Sequence, residues 1–156
     1  MKDIIFDSNV HKWKEYESEF DDLILNKQNL LFLIETDDNI KFGGFISSKI
    51  DKIKKTISDS NAFLFTFEDN KPMKFDILKD KKNCAFGLWN KSSDGLFDIG
   101  NQDILIYKQN WVESSIYQED RSSFDYQGIE NALIGKTVYD ISMSFEPNRI
   151  LVIQMK

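Results

Sequence analysis

The chain has 156 residues, 41% apolar and 13% aromatic with Phe leading at 13 copies, enough apolar surface for one core and incompatible with disorder. Its 20 basic against 26 acidic side chains, a formal charge of -6, tell against a general nucleic-acid binder, which needs a basic surface. One cysteine, Cys84, excludes an internal disulfide, and with one histidine, His11, a Cys/His zinc site is excluded too, which favours a reducing compartment.

Met1 to Asp7 hold no apolar run of signal-peptide length and nothing further on approaches a membrane span. The expectation is a cytoplasmic protein, or a nuclear one, without membrane insertion. Ile4-Ile5-Phe6 reads as a short strand that stops at Asp7-Ser8-Asn9, whose side-chain oxygens cap a turn or a helix. Trp13, Tyr16, Phe20, Leu23 and Ile24 then recur at spacings of three and four with Lys and Glu between them. This predicts an amphipathic helix ending at Asn26 to Asn29. Leu30 to Ile34 is apolar at every position, so as a strand it buries both faces and sits centrally. Thr36-Asp37-Asp38-Asn39 is a polar turn cluster, and Ile40 to Ile46 returns as the second strand of a hairpin. The adjacent Gly43 and Gly44 weaken that strand unless something needs the room, which predicts a bulge or the close approach of another backbone.

Ile50, Ile53 and Ile57 repeat at helical spacing and predict a second helix over Lys49 to Ser58, before the turn formers Asp59-Ser60-Asn61. Lys49, Lys52, Lys54 and Lys55 line its solvent face, the ordinary place for a charge run and the alternative place for a basic patch. Ala62 to Phe67 reads as a second buried strand, and Asp69 to Pro72 turns the chain into the half-exposed strand Met73 to Leu78. A charged turn, Lys79 to Asn83, leads to a core strand, Cys84 to Trp89, and a loop, Asn90 to Gly95. Leu96 to Gly100 and Asp103 to Tyr107 flank a tight turn at Asn101-Gln102. Trp111 to Tyr117 is a further strand and Gln118 to Ser123 a charged connector. Phe124 to Gly128, Ala132 to Gly135 and Val138 to Met143 are shorter segments. Glu146-Pro147-Asn148 reads as a turn, as does Pro72, and Arg149 to Met155 closes the chain as a buried strand. Nine or ten strands with two helices imply a mainly β (α+β) fold, two antiparallel sheets packed as a β-sandwich with about two flanking helices, in one domain over residues 1–156.

The order of these pieces resembles the TLDc domain, the module of oxidation-resistance proteins and of some nuclear-receptor-coactivator and Rab-GAP proteins. The hairpin with Phe42-Gly43-Gly44-Phe45 is similar to the one near that domain's start, after an early strand, a turn and an aromatic-bearing helix. Ala62 to Phe65 matches the family's Ser/Ala-Phe-Leu-Phe residue by residue. Gly100 stands where the family holds a run of glycines, and Gln154 and Met155 stand where its last strand carries an acidic residue and a Trp-Gly. The resemblance spans nearly the whole chain. It implies the same sandwich, with Phe42, Gly43, Gly44, Phe45, Phe63, Phe65, Gly87 and Gly100 as structural motif residues. It also implies protection against oxidative stress by a non-catalytic route and, as in several members, binding to the vacuolar proton pump.

A Ser-His-Asp or Cys-His site would have to use His11, which lies in a polar stretch and reads as a surface residue, and no Gly-x-Ser-x-Gly elbow is present. Cys84 opens an apolar strand and reads as core packing, whereas a redox-sensing thiol would draw on Lys81 and Lys82. Asp7, Asp37, Asp38, Asp94 and Asp98 fall in turns or at strand ends, where solvated capping accounts for them. Asp37-Asp38-Asn39 lacks the spacing, Gly and distal Glu of a helical calcium loop, and Gly43-Gly44 lacks the helix start of a phosphate loop. Phe63, Phe65, Phe67 and Phe86 could form a base-stacking platform, but their apolar context reads as sandwich core. No cofactor or metal site is read.

The expectation is a binding module rather than an enzyme, contacting its partner through Asp7, Ser8, Asp37, Asp38 and the lysine-bearing helix, with proton-pump subunits as the partner implied by the resemblance. The alternative is a stress-linked regulator that binds nucleic acid through Lys49 to Lys55, which the acidic net charge disfavours. An enzyme using scattered carboxylates is the third reading.

Overall fold

The computed structural model describes residues 2–118, 122–134 and 142–156. In chain order the strands are β1 (Asp3–Asp7), β2 (Leu30–Thr36), β3 (Lys41–Ile46), β4 (Thr56–Ile57), β5 (Phe63–Glu68) and β6 (Lys71–Asp76). They continue as β7 (Phe86–Leu88), β8 (Gly95–Ile99), β9 (Ile104–Tyr107), β10 (Ser114–Tyr117), β11 (Ser142–Phe145) and β12 (Pro147–Gln154). Two six-stranded antiparallel sheets result, ordered β1-β12-β2-β3-β5-β6 and β11-β10-β9-β8-β7-β4. They pack face to face through phenylalanine: Phe32 of β2 lies 5.0 Å from both Phe86 of β7 and Phe97 of β8, and Phe42 of β3 meets Phe145 of β11 edge-on at 5.3 Å. The expected mainly β sandwich is the observed one.

The hairpin of β2 and β3 runs in unbroken register from Leu30↔Ile46 to Glu35↔Lys41, so its two glycines make no bulge. Each instead makes room. Gly44 faces inward, where a β-carbon would stand 2.9 Å from Ile99 Cδ1 of the opposing sheet. Gly43 faces outward, where a β-carbon would fall inside the van der Waals envelope of the Phe32 carbonyl and 2.9 Å from Phe65 Cζ. Glycine in a strand costs about 0.5–1 kcal/mol, while a buried Phe contributes roughly 1.5–3 kcal/mol, so the packing these glycines permit outweighs their cost.

β2 is central, but its side chains alternate between buried and half-buried, so only one of its faces is covered as the sequence predicts. Leu30, Phe32 and Ile34 point into the sandwich, and Leu31 and Leu33 point out. In-register neighbours extend this outer face into two apolar rows. One is Ile153, Leu31, Phe45 and Phe63; the other is Leu151, Leu33, Gly43 and Phe65. Phe63, Phe65 and Phe67 therefore belong to the outer surface of the first sheet, whereas Phe86 alone of the four expected core aromatics lies between the sheets.

Two flanking helices are not observed. Among the described residues there is one five-residue α-helix, α1 (Phe20–Ile24), and one 3-10 turn (Lys82–Cys84). The spacing from Trp13 to Ile24 does bury Trp13, Phe20 and Ile24, yet Tyr16 is exposed with φ +62°, and its amide donates to the Lys91 carbonyl at 3.1 Å. Residues 13–19 thus wrap the sandwich as turns. In the second predicted helix Ile50 and Ile57 are buried too, but the backbone is stitched to other segments. Ile50 exchanges bonds with Asn26 and Lys27, Lys54 (φ +59°) donates to Leu88, and Thr56–Ile57 pairs with β7. Isoleucine and threonine gain little in a helix and pack well on a sheet edge, which decides the outcome.

The 47–59 segment is closed by Asp59, whose carboxylate accepts from the Ser47 amide (2.5 Å), the Ser47 hydroxyl (2.7 Å), the Ser48 amide (3.1 Å) and the Asn61 amide (2.9 Å) while only 3% exposed. Asp59→Ala strands these donors and is expected to cost about 3 kcal/mol, read as a lower urea midpoint with the slope unchanged.

Neither proline sits in a turn. Pro72 lies in the edge strand β6 and Pro147 opens β12, the two strand positions where a missing amide is tolerated. The strand expected from Trp111 is confined to β10, and that from Cys84 to β7, which leaves Cys84 half-buried in the 3-10 turn. Gly135 and residues 138–141 lie outside the described residues.

Candidate functional site

One end of the sandwich gathers the β2–β3 turn, the β9–β10 connection, the β11–β12 junction and the turn after β1. The β2–β3 turn is fixed by Thr36, whose amide donates to the Ile40 carbonyl at 2.9 Å and whose hydroxyl accepts the Ile40 amide at 3.2 Å, with Asn39 at φ +61°. Asp37 donates its amide to the Glu146 carbonyl at 3.3 Å, which holds this turn beside the β11–β12 junction. In the β9–β10 connection Asn110 takes φ +64°, and Trp111 and Val112 project with half of their surface in solvent. A cleft of about 430 Å³ runs past Trp111, Ser8, Asn9 and Glu146, and a smaller one of about 190 Å³ past Asp37, Asp38, Glu113 and the same Glu146.

Four exposed carboxylates therefore line the two clefts, Glu146 in both and Asp37, Asp38 and Glu113 in the smaller, while the exposed Trp111 indole lies on the larger. Lys108 lines the larger cleft, but it is 2% exposed and its ammonium donates to the carbonyls of Asn90 (2.7 Å), Ser93 and Gly95 (3.0 Å). Burial lowers its pKa, against the pull of Asp21, Glu15 and Asp94. Among the described lining residues carboxylates thus outnumber cations, and an aromatic anchor beside charged residues is the anatomy of a protein-docking site for a basic partner.

The sequence placed Asp7 and Ser8 on the contact surface. Asp7 is instead 8% exposed and forked onto Arg149, with Oδ2 2.7 Å from Nη2 and Oδ1 3.2 Å from Nε. That guanidinium holds the carboxyl below its ordinary range against the opposing effect of burial. Ser8 exchanges bonds with Ile150, its hydroxyl accepting the amide at 2.9 Å. Both residues fasten the end of β1 to β12, and Ser8 also lines the cleft. His11 is half-buried, its ring stacked on Phe6 at 5.5 Å and its Nδ1 accepting the Asp7 amide at 3.0 Å.

A family model described as the TLDc domain matches residues 9–137. The chain belongs to the TLDc domain family. No curated protein matches it. Membership makes this an oxidative-stress-related domain and, at a coarse level, one that works by contact with other proteins.

The TLDc motif residues occupy distinct places in the sandwich. Phe42 and Gly44 face inward; Gly43, Phe45, Phe63 and Phe65 face outward, with Phe45 and Phe63 stacked at 5.2 Å. Gly87 lies beneath Asp98, whose Oδ2 is 2.5 Å from where a β-carbon would stand. Gly100 (φ +72°) donates to Ala85 at 2.9 Å and leaves 2.5 Å for the Phe124 ring.

Lys49, Lys52, Lys54 and Lys55 are exposed along the irregular 47–55 segment, away from the acidic clefts. Lys54 and Lys55 border a cavity of about 360 Å³ that also holds Trp89 and Asp98. Asp98 is not a solvated cap: it accepts the Trp89 indole N–H at 3.0 Å, and burial raises its pKa.

Sequence reasoning passed over Asp103. It is 2% exposed, accepts the Ser123 amide and the Tyr126 hydroxyl at 2.9 Å each, and burial pushes its carboxyl up to about 7. Ser123 Oγ in turn donates to Gly100 at 2.7 Å. This knot ties residues 122–126 to the β8–β9 turn. Its only sequence signals are Ser and Tyr in the poorly phased stretch after β10. Among the described residues no group of His, Cys, Asp and Glu could hold a metal ion, and no helix is long and apolar enough to cross a membrane.

Proposed function

We propose that the chain is a non-catalytic TLDc interaction domain of the oxidative-stress response that docks, in the cytoplasm, on a basic surface of the vacuolar proton pump. The observation that carries this reading is Trp111, half in solvent on a cleft it shares with Glu146, which also lines a second cleft with Asp37, Asp38 and Glu113. Fully desolvating such an anchor supplies a few kcal/mol of binding, and the acidic rim steers the approach of the partner. The engagement of His11, Asp7 and Asp103 in structural bonds supports the non-catalytic part.

The test is affinity purification of the intact protein from its own cells, with and without peroxide. Pump subunits are expected with the wild type, recovery reduced at least about tenfold by Trp111→Ala, and loss with Asp37→Lys combined with Asp38→Lys. Recovery unchanged by these substitutions, or no pump subunit at all, would sink the proposal.

The placement of Lys54 and Lys55 beside Trp89 favours nucleic acid as the second reading. It requires binding that weakens steeply with salt and disappears when the four lysines become glutamates.

A further inference from the structure

The outer face of the first sheet is composed like an interior. Leu30 to Ile34 is apolar at every position, the pattern of a strand covered on both sides, and β12 continues it outward with Leu151 and Ile153. A solvated antiparallel sheet would place polar residues at these positions. We infer that a second copy of this chain packs on this face, sheet against sheet, as a two-fold homodimer.

Shape and charge both point to self-association. Gly43 removes a side chain at the middle of the face and the Phe65 ring lies over the gap, which keeps the surface flat enough for sheet-on-sheet packing. The charges at its border are paired within the chain: Lys41 with Glu35 at 3.8 Å, Lys74 with Asp76 at 2.7 Å. Lys74 also covers the Phe63 ring at 4.7 Å. A chain of net charge -6 can therefore meet its copy here without like charges opposed, which it cannot do at the acidic end. The outer face of all six strands, five spacings of about 4.8 Å by roughly 20 Å along the strands, measures about 500 Å² per copy, of which the apolar rows on four strands fill about half. Two copies bury on the order of 1,000 Å², the threshold of a specific interface, so the dimer is reversible.

Sedimentation of the intact protein over a concentration series tests this. The wild type is expected to pass from monomer to dimer as concentration rises. Leu33→Glu and Phe45→Lys, each with an unchanged circular dichroism spectrum, should raise the dissociation constant about tenfold or more. Lysine cross-linking of the wild type gives an independent reading, with intermolecular links expected among Lys41 and Lys74. A monomer at every concentration overturns the inference, as does one that instead retains single-stranded RNA on the exposed aromatics. So does a dimer that the folded variants leave intact, or one whose cross-links map to Lys49 through Lys55.

Discussion

Gly43→Ala is expected to be the most damaging single-atom change in the molecule, costing about 3–5 kcal/mol. The added methyl would meet the Phe32 carbonyl, and that oxygen cannot retreat because β2 is held in register by β3 on one side and by β12 on the other. A clash with a side-chain tip could relax through a rotamer; one with a paired backbone must shift the strand. Gly44→Ala supplies the internal comparison, since its methyl would press on the ends of Ile99 and Leu64 at 2.9 and 3.0 Å. Those side chains can give, and the one backbone neighbour, the Phe63 carbonyl, stands back at 3.3 Å, so the cost there should be about 1–2 kcal/mol. Urea unfolding of both variants beside the wild type decides the matter, and equal losses would show that the outward glycine is not held as described.

Asp103 should impose a pH dependence opposite to that of most carboxylates. Its folded-state pKa of about 7 stands above the ordinary 3.8. Between those values the folded protein keeps a proton that the unfolded chain has released. Stability therefore falls as pH rises through this window, by up to about 4 kcal/mol in total. Asp7 behaves conversely: its depressed pKa contributes stability that is present above the unfolded value and lost only as pH falls through the folded one, below about pH 4. The two effects occupy separate ranges. Asp103→Asn keeps the shape and removes the titration, so unfolding free energies of wild type and variant should converge near pH 4 and separate towards pH 7.5, with the variant the more stable. Parallel curves would contradict this account of the buried carboxyl.

What could be read from the sequence follows the physics of each segment. The hairpin from Leu30 to Ile46 was legible because an unbroken apolar run, a polar turn and a returning run admit few other arrangements, and its glycines announced close packing. The helices were misread because spacing by three and four says which residues are buried and nothing about where their backbone bonds go. Trp13, Phe20, Ile50 and Ile57 are inside as the pattern requires, yet Tyr16 and Lys54 have left-handed backbones that end any helix. At the candidate site, Asp37 and Asp38 were legible as an acidic turn. Asp7 was misplaced because its partner Arg149 lies at the far end of the chain, whereas Ser8, bonded to Ile150, does line the larger cleft. Trp111 reads as a strand residue in the sequence, since nothing local distinguishes an exposed indole from a core one.

The Lys108 ammonium, ringed by three main-chain oxygens, does for the Asn90–Gly95 loop what calcium or potassium does for many surface loops. Here the ion is covalently tethered. It cannot be stripped by a chelator, competes with no free salt, and needs no cellular supply. The loop's conformation consequently depends on no bound metal ion, and opening it means drawing a charged side chain out of its coordination shell, a step governed by the chain's own stability rather than by an ion's concentration.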